Sequence, residues 1–274
     1  MHCASLAEAA SIQTLHAGAG RRRSAPRALV ALVLAGVVGL ASAAELTVSA
    51  AASLTNAFKE IGSAFEAAHS GIRVQFNFAA SGSLLQQIAQ GAPVDVFASA
   101  DTETMDQAER RQLVRRGSRA NFAANTLVVV VPRDATTAPR SLADLVTPAF
   151  RHVAIGVPAS VPVGRYTQAV LEKAQLWAPI EAKMIGTQSV RQALDYVARG
   201  EVEAGFVYGT DAALMPDRVK VAFTVPTETP VLYPIAVVAA SAHAAEAQRF
   251  AAFVLAAPAQ ATLRRYGFAK PSSP

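Results

Sequence analysis

The chain has 274 residues, 25 basic and 20 acidic side chains, 52% apolar residues and a single Cys. The apolar share, with only 16% charged residues, excludes a mainly disordered chain, and the length holds one large domain or two moderate ones. One Cys excludes a disulfide framework and any multi-Cys zinc or iron–sulfur centre.

The first 43 residues read as a leader. Arg21, Arg22, Arg23 and Arg27 form a basic cluster, residues 28–44 carry no charge, and Ala41-Ser42-Ala43 supplies the small residues of a cleavage site. This is the pattern of a secretory signal peptide cleaved after Ala43. A membrane-spanning helix needs about 20 apolar residues, and this run has 17. The stretch before Arg21 is long for a basic region, which makes a start downstream of Met1 an alternative. Without the leader's four Arg and its one acidic residue, Glu8, the chain keeps 21 basic and 19 acidic groups. The net charge falls from +5 to +2, and no Lys/Arg stripe remains to track phosphates, so nucleic acid is not an expected partner. Cys3 leaves with the leader, and no Cys follows the apolar run as a lipid-attachment site.

The remainder alternates strands and helices. Leu46 to Ala50 reads as a strand, and Ser53 to His69 as a helix with Leu54, Ala57, Phe58, Ile61 and Phe65 on one face. Ile72 to Phe78 alternates like a half-buried strand. Ser83-Leu84-Leu85-Gln86 has the form of a capping box, opening a helix that ends near Gly91. A strand at Val94–Ala98, a polar helix over 102–116 and a fully apolar strand at Thr126–Val131 come next. Then come a strand at 153–155, a helix from Tyr166 to Leu176, and a helix capped at Ser189-Val190-Arg191-Gln192 and ending at Gly200. Strands at 206–208, 221–225 and 232–238 precede a last helix over 244–266. Such alternation predicts an α/β fold with mostly parallel sheets covered by helices on both faces.

In such folds ligands sit beyond the carboxyl ends of strands, against helix N-termini. Four strand-to-helix loops stand out: Ala50–Thr55, Ala79–Ser83, Val161–Tyr166 and Gly186–Val190. A helix start offers unpaired N–H groups and partial positive charge, so several aimed at one point make an anion site without Lys or Arg. Taken singly, each Ser is explained as a cap for its own helix. His69, His152, His243 and Trp177 read as surface or packing residues. Asp95 and Asp211 read as structural hydrogen-bond partners, because a carboxylate would repel an oxyanion.

The segments Ala50-Ala51-Ala52-Ser53-Leu54-Thr55-Asn56, Phe78-Ala79-Ala80-Ser81-Gly82-Ser83 and Gly91-Ala92-Pro93-Val94-Asp95-Val96-Phe97-Ala98-Ser99-Ala100-Asp101 occur in that order. Val161-Pro162-Val163-Gly164-Arg165-Tyr166, Val190-Arg191-Gln192-Ala193-Leu194, Val207-Tyr208-Gly209-Thr210-Asp211 and Arg265-Tyr266-Gly267-Phe268 follow. The ordered set, spanning residues 46–270, resembles the periplasmic molybdate-binding proteins, the substrate-binding component of the molybdate ABC importer. The resemblance implies a two-lobed periplasmic-binding-protein fold of type II, with the ligand in the cleft between lobes. Lobe I would hold 44–125 and 234–274, and lobe II 126–233. It implies a tetrahedral oxyanion held by Ser53 and Ser81 through hydroxyl and N–H, by the backbone N–H groups of Val163 and Val190, and by the Tyr208 hydroxyl. Ser83 competes with Ser81, which motif position favours; Val163 stands where the familiar pattern has Ala. Molybdenum would be bound only as the oxyanion, with no catalytic residue and no cofactor. Molybdate and tungstate would both bind, and the partner would be a membrane permease reading the closed form of a periplasmic monomer.

A pocket made only of N–H and O–H donors disfavours protonated phosphate, whose own O–H needs an acceptor. Sulfate differs from molybdate only in size. The rivals are a binding protein for sulfate or a small organic anion, for which Arg165 is the one basic candidate, and a secreted hydrolase using Ser53 or Ser81. The hydrolase needs a base and an orienting acid, yet only three His follow the leader and no G-x-S-x-G elbow occurs.

Overall fold

The computed structural model describes residues 44–271; the leader expected at 1–43 lies outside the described residues. The first half begins with β1 (Ala44–Ala51), a 3-10 turn at Ala52–Leu54 and α1 (Thr55–Ala68), then β2 (Ile72–Ala79) and α2 (Ser81–Ala89). It continues through β3 (Val96–Ala98), α3 (Thr102–Arg110) and β4 (Ala120–Asn125). After a single linking residue the chain enters a second unit with β5 (Leu127–Pro132), β6 (Val153–Gly156), α4 (Pro162–Lys173), α5 (Trp177–Glu181) and β7 (Met184–Thr187). This unit closes with α6 (Val190–Ala198), β8 (Ala204–Tyr208), α7 (Gly209–Ala212) and β9 (Val219–Val225). The chain then returns with β10 (Val231–Val237), α8 (Ala244–Leu255) and α9 (Ala257–Arg265).

Two five-stranded sheets result, with orders β2-β1-β3-β10-β4 and β7-β6-β8-β5-β9. Each is mixed. In the first, β1 pairs parallel with β2 and β3, while β10 runs antiparallel to both β3 and β4. In the second, β6 pairs parallel with β7 and β8, while β5 runs antiparallel to β8 and β9. So four strands of each sheet share a direction, and the single reversed strand is the one that has just crossed from the other sheet. The reversal follows from connectivity: a strand arriving from the neighbouring lobe enters at the end where its own lobe's strands finish.

Burial matches the strand chemistry. Leu127 through Val131 are all buried, as the continuous apolar run requires of a strand covered on both faces. Phe58 and Phe65 of α1 pack edge-on against Phe250 of α8, closing one face of the first sheet.

The structure shifts several element limits. The cap of α2 is Ala80, not Ser83; the helix begins at Ser81 and has no side-chain cap. At Ser189 the capping pattern holds: its hydroxyl accepts from Gln192 N–H at 3.2 Å, and Gln192 Oε1 accepts from Gln188 N–H at 2.6 Å. The polar helix over 102–116 stops at Arg110, since Gln112 adopts positive φ. The helix expected from Tyr166 starts four residues earlier, with Pro162 in its first turn, where a missing N–H costs nothing. The last helix is two, broken where extended Ala256 precedes Ala257-Pro258. β4, α5, β7 and α7 have no counterpart among the expected elements.

Candidate functional site

Six chain segments converge on one small cavity, each arriving from the carboxyl end of a strand; the loop after β3 supplies Ala100. β1 ends in the 3-10 turn that buries Ser53. β2 ends one residue before α2, which places Ser81 in the first helical turn. The loop after β6 leads into α4 with Val163 in its first turn, and the short loop after β7 leads into α6 with Val190 at its start. β8 ends at Tyr208, the residue before α7. The lining includes Ser53, Ser81, Val163, Val190 and Tyr208, together with small residues such as Ala51, Ala52 and Ala100, around a tight cavity of about 10 Å³. All five expected residues are thus brought together. Ser83, two positions further along α2, is half-buried and is not in this lining.

Close backbone approach makes the convergence possible. A Cβ on Gly164 would stand 1.8 Å from the Gly156 carbonyl oxygen, so only glycine lets the first turn of α4 settle on the end of β6. Gly82 meets the opposite lobe in the same way: its N–H donates to the Ser160 carbonyl at 3.0 Å, where a Cβ would lie 2.6 Å from that oxygen.

The lining carries no charged residue. What it offers is hydroxyls and first-turn N–H groups, which have no acceptor inside their own helices. Ser81 Oγ accepts from the Ala100 N–H at 3.0 Å, which leaves its hydrogen to point elsewhere. The Tyr208 hydroxyl is fully buried and has no hydrogen-bond partner among the described residues. Its pKa is pushed well above the ordinary value, chiefly by burial, so it stays a protonated donor. An unpaired buried hydroxyl costs about 1–3 kcal/mol, and its presence here points to a partner arriving from outside the chain.

Charged groups stand around the cavity and tie the lobes together. Arg165 of α4 donates to Asp101 Oδ2 from Nε at 2.8 Å and Nη2 at 2.6 Å, to Thr104 Oγ1 and to the Pro158 carbonyl. Four of its five N–H donors are taken by protein acceptors, and it does not line the cavity. Arg191 of α6 pairs with buried Asp211 at 2.5 Å and reaches across to Asn56 Oδ1 at 2.9 Å and the Ser53 carbonyl at 3.1 Å. The Asp211 carboxyl is raised to about 6 by burial, which Arg191 opposes. Asp95 accepts from the Thr47 N–H at 2.8 Å and the Ser241 hydroxyl at 2.7 Å, a structural role. Neither Ser has a catalytic partner: Ser53 Oγ faces the Tyr233 hydroxyl, and Ser81 Oγ faces a backbone N–H.

Neither the Arg165–Asp101 and Arg191–Asp211 pairs nor Tyr233 stands out in the sequence. Arg191 and Asp211 lie inside motif segments, but nothing in spacing alone joins residues 20 positions apart. Tyr233 falls within the strand expected at 232–238 and carries no motif of its own.

Two helix-flanked mixed sheets, with strand ends and helix starts converging on an uncharged donor cavity between them, define a two-lobed solute-binding fold. The bacterial extracellular solute-binding protein family matches over residues 46–269, and the chain belongs to it. It is a family of binding proteins, not of enzymes. The chain is 38% identical over 231 residues to the molybdate-binding protein ModA of Mycobacterium bovis, covering 84% of this chain and 86% of that one. Its identity to ModA of Escherichia coli is 36% over 240 residues, with 84% and 90% covered. The solved periplasmic molybdate-binding protein of Azotobacter vinelandii superposes with a TM-score of 0.72 at 25% identity, covering 83% of this chain and all of that one.

Proposed function

We propose that this protein captures molybdate, and also tungstate, between its two lobes and delivers it to the membrane permease of an ABC importer. The observation that carries this reading is the Tyr208 hydroxyl, buried and unpaired at a cavity that also collects two Ser and the first turns of α2, α4 and α6. A dianion taken out of water needs hydrogen bonds to most of its oxygens, and these groups are donors. Helix N-termini add favourable potential without a charged side chain to compete for other ions. Ser53 and Ser81 supply hydroxyl and N–H, Val163 and Val190 their N–H groups, and Tyr208 its hydroxyl. The chain passes between sheets at Asn125-Thr126-Leu127 and between Val225 and Val231. The lobe division expected at 125/126 falls on the first crossing, the one expected at 233/234 lies inside β10 and belongs instead between Val225 and Val231, and these two crossings are the hinge. An anion touching both walls favours the closed form by its differential affinity, and the permease reads that form. The protein works as a monomer in the periplasm, exported by the 1–43 leader. The names of the relatives support this cargo, and so does an Arg165 that is paired with Asp101 and absent from the cavity lining.

The test is the melting temperature of anion-stripped protein with molybdate, tungstate, sulfate or phosphate. A ligand at 100 times its dissociation constant adds about 2.7 kcal/mol. Molybdate and tungstate alone should raise the transition. A shift with sulfate alone, or with none of the four, sinks the molybdate reading.

A further inference from the structure

Tyr233 lies one layer behind the cavity, fully buried, its ring 5.9 Å from that of Tyr208. Its hydroxyl stands 3.0 Å from Ser53 Oγ and 3.2 Å from Asn125 Nδ2. Asn125 Nδ2 also donates to Thr210 Oγ1 at 2.8 Å, and Asn125 Oδ1 accepts from the Thr126 N–H at 2.9 Å. That last contact fixes the amide. A backbone N–H can only donate, so the atom facing it is oxygen, and the NH₂ group must face Tyr233 and Thr210. The Tyr233 oxygen is therefore an acceptor toward Asn125. Its hydrogen, with no other acceptor in contact, goes to Ser53 Oγ. Ser53 Oγ accepts in turn, and its own hydrogen is turned toward the cavity.

We infer that Asn125 and Tyr233 are positioning residues that set the direction of a hydrogen-bond chain, Asn125 to Tyr233 to Ser53, and so make Ser53 a donor to the bound anion. This rests on the oxyanion reading of the site and deepens it: the chain selects fully deprotonated oxyanions over protonated ones of equal charge. A serine hydroxyl left free can rotate and accept from a hydrogen phosphate O–H; a serine already receiving a hydrogen bond is held as a donor. Ser81 is held in the same sense by the Ala100 N–H. Asn125 also ends β4, at one crossing between the lobes, so the direction is set at the hinge.

Asn125→Asp tests the direction. Its second carboxylate oxygen would accept from Tyr233, which would then accept from Ser53, and Ser53 would present lone pairs to the cavity. The readout is the ratio of the dissociation constants for hydrogen phosphate and molybdate, by calorimetry in mildly alkaline buffer where both are dianions. The added charge of Asp repels both equally and cancels in the ratio. The ratio should fall at least about tenfold, equivalent to about 1.4 kcal/mol. Tyr233→Phe, which keeps the ring and cuts the chain, should move it the same way by a smaller factor, and it stands in if the Asp variant does not fold. A wild-type protein that selects molybdate, with variants weakening both anions by one common factor, overturns the directed chain and leaves the oxyanion reading standing. A wild-type protein that binds neither anion removes both.

Discussion

Tyr208 separates binding from folding more cleanly than any other side chain here. Its ring is core, but its hydroxyl has no partner among the described residues. Tyr208→Phe should therefore weaken anion binding by about 1.5–3 kcal/mol, the range for hydrogen bonds to charged groups, while the anion-free protein melts no lower than wild type. Calorimetry and thermal melts on one preparation check both parts. Ser81→Ala should differ, because it strips the acceptor from the buried Ala100 N–H; it should lose affinity and also about 1–3 kcal/mol of stability. Asp211 carries the clearest pH dependence. Its folded carboxyl is raised to about 6 from 3.8, by burial that Arg191 only partly offsets. The folded state thus binds this proton more tightly than the unfolded one. The carboxyl's contribution is fully present below the ordinary carboxylate value and is lost as pH rises through about 6. Urea melts across this range should show wild-type stability declining with pH relative to Asp211→Asn. A difference that grows with pH would mean that pairing with Arg191 outweighs burial.

At the scale of elements, two glycines hold helices at unusually short range, with opposite expected consequences. Gly164 seats α4 on its own sheet, with the missing Cβ 1.8 Å from a carbonyl oxygen. Gly164→Ala must displace that helix and should cost about 1–3 kcal/mol or more of stability, as overpacking does. Gly82 touches the facing lobe at Ser160. Gly82→Ala can be relieved by opening the cleft, so it should leave the melting temperature of the anion-free protein nearly unchanged and weaken molybdate binding. Equal loss of stability in both variants would show that Gly82 also supports folding. Most elements were legible in the sequence where one signal dominated: the alternation of 72–78, the run of valines in β5, the cap at Ser189. β4 was not, because Ala120-Asn121-Phe122-Ala123-Ala124-Asn125 lacks β-branched residues and is a strand through its pairing with β10. The Ser83 pattern misled because local spacing cannot see that α2 begins at Ser81, where the helix meets the neighbouring lobe. The break between α8 and α9 was signalled by Pro258, which sat inside a run otherwise apolar enough to read as continuous.

For the whole molecule, the closed arrangement is held by protein contacts as well as by any anion. Arg165 joins α4 of one lobe to Asp101, the cap of α3 in the other, and Arg191 joins α6 to Asn56 and Ser53. Arg165→Met leaves Asp101 buried without its cation, an arrangement that costs about 3–5 kcal/mol when one partner is removed. Opening the cleft hydrates that carboxylate. Small-angle scattering of the anion-free variant should therefore give a larger radius of gyration than wild type, with molybdate restoring compaction at a higher concentration. An unchanged radius would mean that closure does not depend on this pair. The α/β alternation, the likeness over 46–270 and the five candidate ligand residues were determined by the sequence alone, because periodicity and ordered motifs are local or colinear properties. Only the tertiary structure decided which hydroxyls face the cavity with a free hydrogen, which arginines are already spent on carboxylates, and that Tyr233 stands behind Ser53. Those facts depend on tertiary contacts, such as Ser53 with Tyr233 inside the first lobe and Arg191 with Asn56 between the lobes, which no local pattern of the sequence displays.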